Sequence, residues 1–282
     1  MPEIAYVNGA FLPIEKAMVP VEDRGYQFGD AVYEYIASYN GRLFFLDAHL
    51  ERLHRSLNAL AFPPISMEKI REAVNELFHK AALKRAGVYI QISRGVAPRN
   101  HAFPKPLEPQ VVMTIRKVKE VDPELRACGA VAITMRDFRW DRCDIKTVQI
   151  LANALAKQKA VDSGADDAIF VAENNVVREA TSANVFIVAT GVLVTHPLTA
   201  NILPGITRAV VLDCAREMKL EIAERFYGTE ELFGAAEVFL TATTTEVLPI
   251  VKIDGKRIGD GRVGSVTKRL ADALRRKCCD TA

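Results

Sequence analysis

The second half of the chain alternates short apolar strands with helices, and this alternation limits the folds available to it. Strand-like runs occur at AVAITM, AIFVA, NVFIVA, VLVT, EVFLTA and EVLPIVKI. The segments VQILANALAKQKAVD and GITRAVVLDCAREM, and SVTKRLADALRRK at the end, are predicted to be helices. Such an order is typical of an α/β domain, which we predict for this part of the chain.

The first part mixes strands and helices less regularly. Asn8-Gly9 and Asn40-Gly41 each predict a β-hairpin, because both dipeptides suit a tight turn. Asp47 is the expected N-cap of a helix that Pro63-Pro64 ends, and Ser66 is expected to cap the next helix. Strands are predicted at GVYIQISRG and QVVMTIRKV. This part therefore reads as an α+β domain.

Two domains are expected from the length of 282 residues, which exceeds one average domain. The polar segment KEVDPE marks the boundary. We predict an N-terminal α+β domain over residues 1–119, a linker over 120–124 and a C-terminal α/β domain over 125–282.

Composition excludes several classes of function. The net charge of +2 and the lack of a basic cluster argue against nucleic acid as a partner. No run reaches the roughly 20 apolar residues that span a bilayer, and the start of the chain does not resemble a secretory signal. Five cysteines without framework spacing indicate reduced thiols and no metal site. We expect a cytoplasmic protein with neither a membrane nor a metal ion as a partner.

A GxGxxG pattern at residues 259–264 is the one apparent nucleotide motif. A dinucleotide-binding fold needs a further βαβ unit after it, and here only one helix follows. We interpret the pattern as a glycine turn.

The segment of residues 179–208, EATSANVFIVATGVLVTHPLTANILPGITR, is the most informative. It resembles the signature of the fold-type IV aminotransferases that use pyridoxal 5′-phosphate (PLP), a family that includes branched-chain and D-amino-acid aminotransferases. FGDAVYEYIASYNG, SRGVAPRNHAFP, DIKTVQILANALAKQKA and TATTTEVLPIVKIDG extend the resemblance over nearly the whole chain. It implies a two-domain fold with a smaller α+β N-terminal domain and a larger α/β C-terminal domain that contains a barrel-like sheet.

The resemblance also implies the cofactor residues. Lys146 would join PLP as a Schiff base, which requires the neutral amine, and would then move the proton at the substrate Cα. Glu179 would keep the pyridine nitrogen protonated, so that the ring withdraws electrons.

The phosphate of PLP needs N–H donors and positive charge, which the start of an apolar helix and a guanidinium provide. The residues implied at the phosphate and its surroundings are Arg52, Leu203, Gly205, Ile206, Thr207, Thr243 and Thr244. Arg52 could instead be a solvated charge on its helix, and the two threonines could be ordinary strand residues. His49 either supports Arg52 or is a plain helix residue.

The substrate side would consist of Tyr33, Arg99 and His101. A guanidinium matches a carboxylate with two hydrogen bonds, and the loop PRNHAFP holds the arginine and the histidine two residues apart. The resemblance implies that Arg99 and His101 come from the neighbouring subunit of a homodimer. The alternative is a charged surface loop.

The implied activity is transamination between D-amino acids, such as D-alanine, and 2-oxo acids, such as 2-oxoglutarate and pyruvate, by a ping-pong mechanism. A branched-chain L-amino-acid aminotransferase is the first alternative, although the Arg-x-His loop argues against it. An aminodeoxychorismate lyase of the same fold and a catalytically idle PLP-binding protein are further alternatives. The remaining nearby residues, Cys143 and Trp140, are interpreted as packing residues.

Overall fold

A computed structural model describes residues 3–106 and 108–280 of the chain. Residues 1–2, 107 and 281–282 of the predicted domains lie outside this part. The chain forms two compact units. The first runs up to Lys119 and includes Ile145–Gln149, and the second comprises Glu120–Asp144 and the chain from Ile150 onward.

The first unit is built on an antiparallel sheet of six strands in the order β2-β1-β6-β5-β3-β4. The strands are β1 (Ile4–Val7), β2 (Ala10–Pro13), β3 (Ala31–Tyr39), β4 (Arg42–Leu43), β5 (Ala86–Ser93) and β6 (Gln110–Lys117). The helices are α1 (Arg24–Phe28), α2 (Leu46–Ala59) and α3 (Met67–Ala81), with a 3-10 turn at Ile14–Lys16.

Both predicted hairpins of this unit are confirmed. β1 pairs with β2 through Val7 and Ala10, and β3 pairs with β4 next to the second Asn-Gly turn. Asn8 and Asn40 have φ of 47° and 50°, the left-handed conformation that such tight turns require and that asparagine tolerates.

The start of α2 differs from the prediction, whereas the start of α3 matches it. Phe45, with a φ of 51°, occupies the N-cap position of α2, and Asp47 lies in the first turn instead. There its charge still suits the positive end of the helix dipole. Ser66 caps α3 as expected, because its Oγ accepts the Lys69 N–H at 3.3 Å.

The core of the first unit lies between the sheet and α2 and α3. Leu50, Leu53 and Leu57 of α2 are buried against residues of β3 that include Val32 and Ile36. The leucine spacing of three and four residues explains why one helix face is buried.

Residues 145–149 group with the first unit because they pair with β3. Tyr33 N–H donates to Lys146 O at 2.9 Å, and Val32 forms a bridge with Thr147. This extended segment also explains why the helix predicted from Val148 begins only at Leu151.

The second unit contains nine strands and five helices among the described residues. Its strands are β7 (Ala130–Arg136), β8 (Asp167–Val171), β9 (Val177–Ala180), β10 (Asn184–Ala189), β11 (Val192–Thr195), β12 (Ile222–Glu224), β13 (Glu237–Ala242), β14 (Glu246–Ile253) and β15 (Lys256–Arg257). Its helices are α4 (Pro123–Cys128), α5 (Leu151–Asp162), α6 (Ile206–Glu217), α7 (Thr229–Gly234) and α8 (Ser265–Asp280).

Six of these strands close into a barrel. The order β10-β13-β14-β7-β8-β9 returns to β10 through the pairing of Glu179 with Asn184. Every strand of the ring contributes to one buried apolar cluster, through residues such as Ala132, Ile169, Val177, Val185, Leu240 and Leu248. The closed sheet confirms the expected α/β fold with a barrel-like sheet.

Two further segments of the second unit correspond to the predicted linker and to the GxGxxG pattern. In the predicted linker, Pro123 already begins α4, because Asp122 accepts the Glu124 N–H at 2.9 Å and proline suits the first helical position. The GxGxxG pattern lies in the turn between β15 and α8, with positive φ at Gly259 and Gly261, in agreement with its interpretation as a glycine turn.

Candidate functional site

Lys146 is half-buried, and its backbone is fixed on both sides. Its N–H faces Ser56 Oγ at 3.3 Å, and its carbonyl accepts the Tyr33 N–H at 2.9 Å. Its Nζ lies 4.2 Å from the centroid of the Tyr33 ring. The structure therefore brings together two of the predicted residues, the amine and the tyrosine.

Arg52 and His49 share a buried carboxylate, Glu34, which was not among the predicted site residues. Arg52 Nε and Nη2 donate to the two Glu34 oxygens at 2.6 and 2.8 Å, and His49 Nδ1 lies 2.7 Å from Glu34 Oε2. The geometry excludes a solvated Arg52 and shows that His49 belongs to the same cluster. One signal in the sequence was available: Glu34 is the charged residue on the strand face of Val32 and Ile36.

The charges of this cluster depend strongly on each other. Burial alone would raise the pKa of Glu34, but the Arg52 guanidinium and the hydrogen bonds from Arg52 and His49 outweigh it and lower the pKa to about 2. Burial lowers the pKa of His49, although Glu34 opposes that effect. Glu34 is therefore a carboxylate that holds the Arg52 guanidinium in one orientation.

Glu179 is buried in the second unit among donors. Its Oε1 accepts from Arg139 Nη1 at 2.5 Å, and its Oε2 accepts from Asn184 Nδ2 at 3.1 Å and from the Leu203 N–H at 3.0 Å. Asn184 Nδ2 also donates to Leu203 O at 2.8 Å. One hydrogen-bonded group therefore contains two predicted site residues, Glu179 and Leu203, together with Asn184 from the same segment of residues 179–208.

Arg139 is the residue of this group that sequence reasoning missed. It forms a two-point ion pair with Asp137, with Nε–Oδ1 at 3.0 Å and Nη2–Oδ2 at 2.8 Å, and its guanidinium lies 4.3 Å from the Phe170 ring centroid. Arg178 Nη1 also donates to Asp137 at 2.8 Å. The polar stretch RDFRWDRCD carries no spacing that distinguishes this arginine from its neighbours.

Burial raises the pKa of Glu179, while the Arg139 guanidinium and the Leu203 N–H favour the charged form. Asp137 and Glu179 together raise the pKa of Arg139 against the effect of its burial. Burial also raises the pKa of the Cys143 thiol to about 12, and its Sγ donates to Trp140 O at 3.2 Å. Cys143 is therefore a packing residue with a neutral thiol, as expected.

The strand pairing that closes the barrel places Glu179 beside Asn184. Glu179 is paired with Asn184, and Asn184 with Thr241, so the three side chains form a row across β9, β10 and β13. Their neighbours Val185 and Leu240 enter the apolar cluster, so the row faces the other side of the sheet.

The start of α6 fits the phosphate of PLP. Gly205 is the N-cap, and a Cβ there would lie 2.2 Å from Asn184 Oδ1, so only glycine is accommodated. The N–H groups of Ile206 and Thr207 begin the helix and lack partners within it by its geometry. The hydroxyl of Thr241, opposite Asn184, is buried and has no hydrogen-bond partner among the described residues.

Thr243 and Thr244 are not strand residues. They lie in the turn between β13 and β14, where Ala242 pairs with Glu246, and Thr244 is exposed. The next hydroxyl, of Thr245, is buried and without a partner among the described residues. A turn can present hydroxyl and N–H groups to an anion, and the chemistry fits a phosphate.

Arg99 and His101 lie on an exposed loop of the first unit. The Arg99 guanidinium lies 4.4 Å from the Phe28 ring centroid, and Arg99 Nη1 donates to Gln27 O at 3.3 Å. The His101 ring centroid is 5.7 Å from that of Phe28. These contacts, unlike those of Tyr33, do not involve Lys146.

Metal ions and membranes receive no support from the described residues. In the ranges 3–106 and 108–280, no group of three or more His, Cys, Asp or Glu side chains could hold a metal ion. Within the same part of the chain, no helix combines the length and apolar character needed to cross a bilayer. The five cysteines are all free thiols.

Comparison with known proteins places these observations in a family. The model of the family "Amino-transferase class IV" matches residues 31–253. The D-alanine aminotransferase of Staphylococcus epidermidis is 41% identical over 266 residues, which are 94% of each chain. That of Bacillus licheniformis is 41% identical over 268 residues, 95% of this chain and 94% of the relative.

Solved structures agree with this. The branched-chain amino acid aminotransferase of Escherichia coli is 28% identical, with a TM-score of 0.91 over 98% of this chain and 94% of that one. A second branched-chain amino acid aminotransferase, from T.th. and solved with pyridoxamine 5′-phosphate, is 28% identical, with a TM-score of 0.90 over 98% and 94%. The chain therefore belongs to the class IV aminotransferases.

Proposed function

We propose that this aminotransferase moves amino groups between D-amino acids, D-alanine above all, and 2-oxo acids such as 2-oxoglutarate and pyruvate, by a ping-pong mechanism. The observation that carries the proposal is the identity of 41% with D-alanine aminotransferases over 94% of the chain. The branched-chain amino acid aminotransferase of Escherichia coli is 28% identical.

As a class IV aminotransferase the enzyme uses PLP, which when bound withdraws electrons from the substrate Cα. Lys146 is the residue that holds the cofactor covalently, and its amine, once released, moves the proton at the substrate Cα. The backbone hydrogen bonds of Lys146 with Ser56 and Tyr33 support this role, because they fix the position of the backbone from which the amine extends.

Glu179 serves the ring nitrogen of the cofactor, and a buried carboxylate beside Arg139 suits a cationic partner. The first N–H groups of α6, at Ile206 and Thr207, bind the phosphate together with Arg52. Glu34 supports that role, because its two hydrogen bonds fix the Arg52 guanidinium.

Tyr33, Arg99 and His101 bind the substrate carboxylate, with Arg99 and His101 supplied by the second subunit of a homodimer. The contacts of both residues with the Phe28 region, away from Lys146, support this arrangement. The five free thiols support a cytoplasmic location.

The first experiment replaces Lys146 by alanine and measures the visible absorption of bound PLP and the rate with D-alanine and 2-oxoglutarate. We expect the absorption band of the covalent adduct to disappear and turnover to fall by at least about 100-fold. Lys159→Ala, at an exposed position on α5, is the matched control and should keep both. A persistent band with full turnover in the Lys146 variant would refute the assignment.

A branched-chain L-amino-acid aminotransferase is the second candidate, because the solved branched-chain enzymes share the fold with a TM-score of 0.91. The half-reaction of the holoenzyme with D-alanine and with L-leucine separates the two. Faster reaction with L-leucine would overturn the D-amino-acid assignment. Pyruvate release without any amino acceptor would instead indicate the lyase.

A further inference from the structure

Arg24 holds the backbone of the loop that carries Arg99 and His101. We call residues 99–102 the substrate loop. Arg24 Nη1 donates to Asn100 O at 2.5 Å and to Ala102 O at 3.4 Å, and Nη2 donates to His101 O at 3.4 Å. The Arg24 side chain is only 4% exposed, whereas the loop residues whose carbonyls it holds are exposed. One guanidinium therefore fixes three successive carbonyl groups of an otherwise exposed loop.

Asp30 orients Arg24 and shares its carboxylate with a second buried arginine. Arg24 Nε lies 2.9 Å from Asp30 Oδ2, and Arg94 Nε lies 2.8 Å from the same oxygen and 3.0 Å from Oδ1. The Arg94 side chain is 1% exposed, and that of Asp30 is 11% exposed. Both guanidinium groups are therefore oriented by the same carboxylate.

Arg94 connects this group to the end of α2. Its Nη2 donates to Leu60 O at 2.8 Å and its Nη1 to Ala61 O at 3.3 Å, the carbonyls that follow the last turn of the helix. Phe103 follows the substrate loop, and its ring centroid lies 3.6 Å from the Arg94 guanidinium carbon. The helix that carries Arg52 and the loop that carries Arg99 are thus joined through one ion-paired group.

We propose that Arg24, Asp30 and Arg94 are positioning residues that fix the substrate loop relative to α2, so that Arg99 and His101 meet the substrate carboxylate in the correct orientation. This inference rests on the proposed function of Arg99 and His101. Besides the loop carbonyls and Asp30, the Arg24 guanidinium lies 4.6 Å from the Phe28 ring centroid and 5.8 Å from that of Phe103. Arg24 therefore acts through the loop and the aromatic rings packed beside it. Bidentate recognition of a carboxylate depends on the orientation of the donors, and a displacement of about 1 Å in a catalytic site can cost about 100-fold.

The test uses Arg24→Met in the holoenzyme and two probes that differ only in the carboxylate. D-Alanine carries the carboxylate, and D-alaninol has an alcohol in its place. We expect the KM for D-alanine to rise about tenfold or more with kcat changed much less. The dissociation constant of D-alaninol, measured by the change in PLP absorption, should stay within about twofold of wild type.

Arg85→Met is the matched control. Arg85 belongs to the same unit and also donates to a backbone carbonyl, that of Ser38 at 2.7 Å, but it does not contact the substrate loop. We expect normal KM and kcat for this variant. Arg24→Lys keeps the charge beside Asp30 but cannot bind three carbonyls, so its KM should lie between wild type and Arg24→Met. The lysine variant also keeps the test decisive if Arg24→Met fails to fold.

A purely structural role predicts a different pattern. If Arg24→Lys, or Arg24→Met, weakened D-alanine and D-alaninol equally, or lowered kcat and left KM unchanged, the positioning role would be overturned. A further variant separates the two roles. Because Arg24 acts through Arg99 and His101, adding Arg24→Met to the double variant Arg99→Ala/His101→Ala should leave the KM for D-alanine unchanged. Multiplicative increases in KM would contradict the proposal.

Failure of the proposed function gives a separate result. If Arg99→Ala left the KM for D-alanine unchanged, the carboxylate would be bound elsewhere, and the assignment of the loop itself would be wrong. If Arg99→Ala raised KM but Arg24→Met and Arg24→Lys did not, only the positioning role would be wrong.

Discussion

Each of the two units contains a buried arginine–carboxylate pair, but the pKa values of the two carboxylates are shifted in opposite directions. Arg52 and His49 lower the pKa of Glu34 to about 2. Burial raises the pKa of Glu179 in spite of Arg139. The chemistry of the pairs is similar, since both carboxylates lie within hydrogen-bonding distance of a guanidinium.

The difference comes from what else surrounds each carboxylate. Glu34 accepts two bonds from one guanidinium, beside His49 Nδ1 at 2.7 Å and the Tyr35 N–H at 3.3 Å. Glu179 receives only one guanidinium bond, with two further bonds from Asn184 and the Leu203 N–H. The guanidinium of Arg139 is shared with Asp137, whose negative charge also raises the pKa of Glu179. Glu34 is thus an anion that orients Arg52. The Glu179 carboxylate, whose charged form burial disfavours, would be stabilised by a further positive charge beside it. A carboxylate that serves a cationic ring nitrogen needs that second property.

Replacement of Glu34 by glutamine should have the largest effect. The amide keeps the shape of the side chain but removes the negative charge that faces the buried Arg52 guanidinium. Breaking one partner of a buried ion pair costs about 3–5 kcal/mol, so we expect the free energy of unfolding at pH 7, measured with urea, to fall by about that amount.

Glu173→Gln is the matched control for Glu34→Gln. Glu173 forms an ion pair with Arg136, but both side chains are 75% exposed, so its replacement should change the unfolding free energy little. Equal stability losses in the two variants would show that the buried pair contributes nothing beyond a surface pair.

Replacement of Glu179 by glutamine should change catalysis more than stability. The amide cannot stabilise a positive ring nitrogen, and loss of one electrostatic partner of this kind costs about 100-fold or more in rate. The measurement is the rate of the half-reaction of the holoenzyme with D-alanine, followed by absorption. If Glu34→Gln slowed this half-reaction as much while retaining PLP, the distinction between an orienting and a chemical carboxylate would fail.

The sequence predicted those parts of the fold that depend on local signals. Both Asn-Gly hairpins and the Ser66 cap follow from the conformational preferences of two or three residues. The predicted N-cap of α2 was wrong because Phe45 adopts a left-handed conformation that its residue type disfavours. A barrel-like sheet was expected only from the family resemblance, and its closure through Glu179 and Asn184 was not predicted, since strand pairing is not encoded in local periodicity.

The candidate site was predictable to a similar extent. Lys146 and Glu179 belong to motifs, whereas Arg139 was missed because its role depends on a partner 40 residues away. Glu34 was recognisable in principle, since a charge on a buried strand face requires a partner. Thr243 and Thr244 were expected in strands as one alternative, but the chain turns there.

The pH dependence of stability gives the smallest effect and compares the two carboxylates directly. The pKa of Glu34 is lowered from its ordinary 4.5 to about 2, so its stabilisation is fully present above pH 4.5 and is lost as the pH falls toward 2. By pH 3 the stability advantage of the wild type over Glu34→Gln should therefore shrink by about 2 kcal/mol in urea unfolding. The pKa of Glu179 is raised, so its ionisation opposes folding at higher pH, and that cost disappears as the pH falls toward 4.5. Relative to Glu179→Gln, the wild type should accordingly gain stability as the pH is lowered through that range. Curves of the same sign for both variants would mean that the two environments do not differ as their contacts indicate.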